Sequence, residues 1–323
     1  MYLIGCIPWP TAPRKRGRPY VYSPTVILRC FIVRIWFRID SNNALHTFLN
    51  MDCQYNSKLA VACGLIKIPS RRTFDRRLKT ISTDIKQRIS TMGYLFVVEG
   101  LVDLSITATD STLMKAKGSV WHKSSMEKEI VPCPGIDTDA KWGYSHTKGW
   151  VFGYKLHLTC TTGEIVVPLT ADVTTANVPD NKMYVPLTSS SLSVFSLPYV
   201  LYMIADPGYD DKNLYKYSKK VLGIDLVCPV ERYESTPKKR LELVCFYQSA
   251  LGQAIYRQRG ISVEPLIEHI KSVFRIDSLP ARGFHKVSAI VLLSVLLYQI
   301  MVYYNCKKDE PNPKSIKYML GTW

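Results

Sequence analysis

Val287 to Asn305 (VSAIVLLSVLLYQIMVYYN) is a run of residues without a charge, and no other stretch constrains this chain as much. A run of about 19 residues is close to the length of a membrane-spanning helix. It allows two architectures: a membrane anchor, or one long helix at the centre of a large water-soluble core. The run is interrupted by Ser288, Ser294, Gln299 and tyrosines, and the other segments read as soluble, so the buried helix is expected and no membrane partner is. The chain has 323 residues, 47% hydrophobic and 21% charged. That is enough for such a core, and it excludes a disordered chain, a collagen or a disulfide miniprotein. The nine cysteines are scattered and none is in a CxxC pair. They read as reduced, mostly buried thiols rather than a zinc site. The first ten residues have no charged region ahead of their apolar residues and do not make a secretory signal. A cytoplasmic protein is expected.

Charge gives the first indication of a partner. The formal net charge is +16. Residues 1–100 carry 16 Lys/Arg against 5 Asp/Glu, and the remaining 223 carry 26 against 21. A polyanion, most simply nucleic acid, is the expected partner of the first third. Within it, Arg14-Lys15-Arg16-Gly17-Arg18-Pro19 can lie extended, so that Arg16 and Arg18 enter a narrow minor groove or meet phosphates. A solvated basic tail is the simpler alternative. Pro24 to Ile39 is a helix candidate, with Arg29, Arg34 and Arg38 expected on its outer face. Asn56 to Cys63 reads as a short helix stopped by Gly64. Ser70 is a plausible N-cap for a second helix, SRRTFDRRLKTISTDIKQRI. The pair is helix-turn-helix-like, and Arg71, Arg72, Arg76 and Arg77 make it cationic. A charge run of this kind is also what a solvated helix face looks like.

From about residue 100 the pattern turns to strands: Ser105 to Ala108, then a hairpin of Trp150 to Thr161 with Glu164 to Thr170, then Leu201 to Ala205 and Ile224 to Pro229. Helices are expected at Asn213 to Leu222, over 248–276 as one long helix or a pair, and over 286–305. Residues 120–150 and 231–247 read as loops. The fold class is α/β, with layered helices and sheet.

Two aspartates follow apolar strands, Asp110 in TATDST and Asp206 in ADPGYD. A carboxylate at the rim of a buried sheet is costly unless it is paired, hydrogen-bonded or cation-bound. Neighbouring strands would bring the two together. A third acid is Glu264, in YRQRGISVEPLIEHIK. On a continuous helix Tyr256, Arg259, Glu264 and Lys271 would share a face, with Glu264 and Lys271 about 20° apart. Pro265 limits that helix to a start near Ser262 or a kink, and Glu268 is a competing acid. Three carboxylates without a His/Cys cluster are hard oxygen donors of the kind Mg²⁺ or Mn²⁺ takes. A pair of such ions can drive in-line displacement at a phosphodiester.

The strings ATDST, DAKWGYSHTKGWVFGYKLHL, ADPGYD and YRQRGISVEPLIEHIK, in that order, resemble the DDE transposases of prokaryotic insertion sequences. The resemblance implies an RNase H-like mixed sheet flanked by helices over residues 100–323, and a helical DNA-binding region with the RGRP arm over residues 1–99. It implies Asp110, Asp206 and Glu264 as the catalytic, metal-binding triad, with two Mg²⁺ (or Mn²⁺) ions. Tyr256, Arg259 and Lys271 match the Y-R-E-K signature, whose ring and cations contact DNA. Four residues separate Arg259 from Glu264, where the commonest form of the signature has three, and Arg257 is the alternative. Lys155 and His157 belong to a family-like GYKLH strand as candidate substrate-side groups, with a structural role the favoured reading for His157. The implied activity is cleavage at terminal inverted repeats of double-stranded DNA, with joining of the 3′-OH to target DNA. A homodimer in a synaptic complex and a nucleoid-associated location go with it. A catalytically inactive DNA-binding descendant and a nuclease without strand transfer are the alternatives.

Overall fold

The computed structural model describes residues 21–51, 54–145, 147–192, 200–230 and 237–320. The RGRP arm, with Arg16 and Arg18, lies outside the described residues. The N-terminal third is helical: α1 (Pro24–Trp36), α2 (Asn42–Asn50), α3 (Gln54–Cys63), α4 (Arg71–Leu78) and α5 (Ser82–Val98). Ser23 caps α1 by accepting from Val26 N at 3.3 Å, and Pro24 occupies its first turn, where its missing N–H costs nothing. Ser70 caps α4 in the same way, accepting from Thr73 N.

Two expectations fail here. Arg34 is buried rather than outward: Nε donates to Ile39 O, Nη1 to Asn42 Oδ1 and Nη2 to Asp40 O, at 2.8–3.0 Å. Its fork closes the end of α1, which explains a buried cation. The helix expected from Ser70 through Ile89 is two helices. Thr80 follows the Lys79 cap and donates to Arg77 O, and the chain turns so that α5 buries Ile85, Ile89, Met92 and Phe96.

The remainder holds β1 (Ile106–Lys115), α6 (Lys123–Glu127), β2 (Lys141–Ser145), β3 (Gly149–Thr161), β4 (Pro168–Thr175), α7 (Asn181–Leu192), β5 (Tyr202–Ile204), α8 (Lys212–Tyr217), β6 (Asp225–Val227), α9 (Lys238–Gln248), α10 (Ala250–Ile261), α11 (Val263–Phe274) and α12 (Phe284–Lys307). Both β2 and β4 pair with one side of β3, β2 beside residues 149–153 and β4 beside 154–160. Gly153 sits where β3 passes from one partner to the other. A Cβ there would meet Met114 O at 2.0 Å, so only glycine allows the approach. Without β2, the order is β4-β3-β1-β5-β6, antiparallel through the first three and parallel from β1 to β6. This is an RNase H-like mixed sheet, flanked by helices.

Strand ends differ from the sequence reading. β1 runs on to Lys115 because β3 pairs with it along its length. β4 begins at Pro168, not Glu164, since Thr161 and Val167 already bond each other across the turn. Residues 238–248, expected as loop, form α9, and 123–127 and 141–145 are α6 and β2.

The uncharged run is the core helix α12. It packs against α1, α5 and β4, and almost every side chain from Val287 to Val302 is buried. It passes the length and composition test for a membrane span, yet lies inside the protein. Its polar interruptions have protein partners. Gln299 Nε2 donates to Ile89 O (2.9 Å) and Pro168 O (2.8 Å), Tyr298 Oη to Val166 O (3.0 Å) and Ser294 Oγ to Ile290 O (3.1 Å).

Candidate active site

The register of the parallel pair places the two aspartates. The last pairing between β1 and β5 is Ala108 with Ile204. Asp110 and Asp206 each lie two residues beyond it, on adjacent parallel strands at the same edge. Asp110 is therefore inside β1 rather than after it, at the point where β5 ends and stops covering it. Asp206 begins a one-turn 3-10 helix and accepts from Gly208 N at 3.0 Å. Gly208 keeps the carboxylate open. A Cβ at 208 would stand 3.1 Å from Asp206 Oδ1 and 3.6 Å from Asp180 Oδ2.

Glu264 reaches the same place from the other side. The 248–276 region is a helix pair: α10 ends at Ser262 (φ −119°, ψ −85°) and Pro265 falls in the first turn of α11. The continuous face expected for Tyr256, Arg259, Glu264 and Lys271 is therefore broken. The break itself joins Arg259 to Glu264, because the guanidinium spans it. Arg259 Nη1 donates to Glu264 Oε1, and Nη2 donates to Asp110 Oδ2 at 2.7 Å. Arg257 is exposed on the same helix.

Asp110, Asp206, Glu264, Arg259, Glu268 and Lys271 line one cleft of about 890 Å³. Lys271 is held by Glu268 and by Asp277 at 3.4 Å, with its side chain only 4% exposed. Tyr256 lies outside the lining, half-buried with its ring 5.3 Å edge-on to Tyr247, and burial pushes its hydroxyl up to about 12. Arg71, Arg72 and Arg76 are exposed on α4, away from the cleft, while Arg77 donates to Tyr22 O at 3.0 Å.

Burial pushes the Asp110 carboxyl up to about 7, with Arg259 opposing and the charges of Asp206 and Asp180 adding. Asp206 is also raised, by burial and then by Asp180. Sequence reasoning missed Asp180. It stands just before α7 in Pro179-Asp180-Asn181, a string that reads as an ordinary helix start. Its Oδ1 accepts from Lys155 Nζ (2.9 Å) and Ser111 Oγ (2.7 Å), and His157 Nδ1 is 3.6 Å away. Lys155 also donates to Val178 O at 3.0 Å, and His157 is fully buried with Nε2 2.9 Å from Thr174 Oγ1. Lys155 and Ser111 hold an acid at the cleft wall, with His157 buried beside it.

The donors suit a hard divalent cation: carboxylates only, crowded and partly desolvated. Among the described residues no three His, Cys, Asp or Glu side chains stand in a metal-holding arrangement. The Arg259 cation occupies the space between Asp110 and Glu264 instead. The residue types fit the group, and the Arg259 guanidinium bridges two of the three acids where a cation would sit.

A family model described as a transposase DDE domain matches residues 102–300. A comparison with curated proteins gave no match. Among solved structures, a piggyBac transposase synaptic complex with hairpin DNA aligns over 98% of this chain and 74% of that one, at 10% identity and TM-score 0.40. The Mos1 strand transfer complex aligns over 90% and 80%, at 12% identity and TM-score 0.24. Similarity at that level carries no functional argument.

Proposed function

This chain belongs to the transposase DDE domain family, and on that premise we propose that it cleaves phosphodiester bonds at the ends of its own element and joins the 3′-OH to target DNA. The observation that carries this reading is the in-register pair Asp110 and Asp206 facing Glu264 across one cleft. The branch proposed is that of prokaryotic insertion sequences with the Y-R-E-K signature.

Asp110, Asp206 and Glu264 would hold two Mg²⁺ or Mn²⁺ ions. When bound, the ions neutralise phosphate charge and make water a better nucleophile near neutral pH. Arg259 lets go of the carboxylates and turns to a phosphate oxygen, which a guanidinium matches in a bidentate fork. Lys271 stays anchored by Glu268 and Asp277 and contributes positive charge at the cleft wall. Tyr256 backs Arg259 and offers a ring to a flanking base. Lys155 and Ser111 fix Asp180, whose charge keeps the cleft selective for cations.

Residues 1–99 act as the DNA-gripping helical region and 100–323 as the catalytic one. Arg71, Arg72, Arg76 and Arg77, with Arg16 and Arg18, supply the positive charge that meets the terminal inverted repeats. Holding two ends at once calls for a homodimer, and a cytoplasmic, nucleoid-associated location follows from the substrate.

Asp110→Ala abolishes Mg²⁺-dependent cleavage of element-end DNA and leaves binding intact. A variant that still cuts would remove Asp110 from the site. The Arg259 bridge is the one observation that favours a non-catalytic descendant. Wild-type protein that binds ends but never nicks them, in either ion, would establish that alternative.

A further inference from the structure

Across the turn from the acids lies a second cavity, about 860 Å³, between α8 and α9. Its lining includes Lys212, Lys216, Lys220, Lys238 and Arg240, and no acid among the described residues. The three lysines on the α8 side recur every fourth residue. Two nearby acids are engaged elsewhere: Asp210 takes both Arg240 nitrogens, and Asp211 accepts from Asn213 N at 2.7 Å to cap α8. Lys219, on another face, is paired with Asp225 at 2.7 Å. The four lining lysines are exposed and have no ion-pair partner among the described residues.

Like charges are not gathered in a concavity without cost, since each raises the potential the others feel. A polyanion relieves it. Position selects which polyanion. Gly208 lines the acidic cleft and Lys212 this one, so the rims are no further apart than four residues of chain can reach, about 14 Å. Along B-DNA that is roughly four base pairs. We propose that the Lys212–Lys216–Lys220 groove holds the backbone of duplex DNA a few base pairs from the scissile phosphate. It would thus fix the angle at which the duplex crosses the acids. This inference rests on the reading of the acidic cleft as a DNA-processing site, and it adds a contact surface made of residues outside both the signature and the N-terminal helices.

The test uses the full chain and a labelled duplex of arbitrary sequence, with anisotropy followed across a salt series. Each phosphate neutralised contributes about 0.9 to the slope of log affinity against log salt. Lys212→Ala/Lys216→Ala/Lys220→Ala should lower that slope by about 2–3 and weaken binding at least ~10-fold near physiological salt. A control with the same charge loss, Lys308→Ala/Lys314→Ala/Lys317→Ala, should change the slope by less than about 1. Circular dichroism confirms that both variants are folded. A groove variant with the wild-type slope overturns the proposal, as does an equal loss in the control, which would mean a diffuse field. A loss for single-stranded but not duplex DNA also overturns it. Wild-type protein that binds duplex but cuts none would be a failure of the functional reading and leave the groove result standing. Wild-type protein that binds no duplex defeats both.

Discussion

His157 has no exposed surface, and its Nδ1 makes no hydrogen bond. Burial pushes the imidazole down to about 4, with Asp180 opposing and Lys155 assisting. The unfolded chain has an ordinary histidine near 6.5. Between those values the unfolded state takes up a proton that the folded state refuses, so stability falls as pH drops from about 6.5 to about 4. The loss at this one site is on the order of 2–3 kcal/mol. His157→Gln removes that proton uptake. Urea midpoints at pH 7 and pH 4.5 should fall less in the variant than in the wild type, and parallel declines would contradict the assignment. Arg259 allows a second test. Its removal leaves Asp110 buried without a cation, a change of the kind that costs about 3 kcal/mol. Arg259→Ala should therefore melt lower than wild type in EDTA and recover with Mn²⁺. A melting point indifferent to Mn²⁺ would mean that the acids do not take up the ion. Asp206 and Glu264 were legible from their strings because each sits beside a structural break, a strand end or Pro265. Asp180 was not, since an aspartate before a helix looks the same whether it caps the helix or faces a cleft.

At the scale of elements, legibility followed the source of stability. α12 could be read because burial alone dictates an uncharged run, whereas β3, read from its alternation, is buried on both faces from Phe152 to Thr161. The segment from Ser70 to Ile89 read as one helix because its local propensity is continuous. It breaks because Phe74 and Leu78 of α4 and Ile85 and Ile89 of α5 are all buried in the core and the chain turns between them. Residues 238–248 were missed because their helix carries almost no apolar periodicity. α4 itself presents Arg71, Arg72 and Arg76 outward while Phe74 and Leu78 hold it down. Arg72→Ala/Arg76→Ala should weaken end binding and lower the salt slope by about 2, with cleavage of bound DNA unchanged. A wild-type slope would leave α4 as a solvated face. Ser70→Ala should cost about 1 kcal/mol through loss of the cap.

For the molecule as a whole, the boundary proposed between a gripping and a cutting region does not separate two cores. One cluster of buried residues runs from Ile27 and Phe31 in α1, through Ile85 and Phe96 in α5, to α12 and on to Leu156 and Val167 beside β4. Gln299 fastens the same junction with its two bonds, to Ile89 O on α5 and Pro168 O on β4. A helix apolar on every side must be enclosed on every side, and α1 and α5 enclose the part of α12 that the sheet leaves open. The two regions are therefore expected to unfold together. Far-ultraviolet circular dichroism and tryptophan fluorescence should give one coincident denaturation curve for the wild type. Gln299→Ala, which leaves a cavity and removes both bonds, should shift that curve by about 2–4 kcal/mol without splitting it. Removal of residues 1–99 should leave a chain that aggregates or loses its near-ultraviolet spectrum, because α12 then faces water. A truncated protein with sharp near-ultraviolet bands and a cooperative melt would show that the sheet and its own helices enclose α12 unaided, and that the N-terminal helices contribute only DNA contacts.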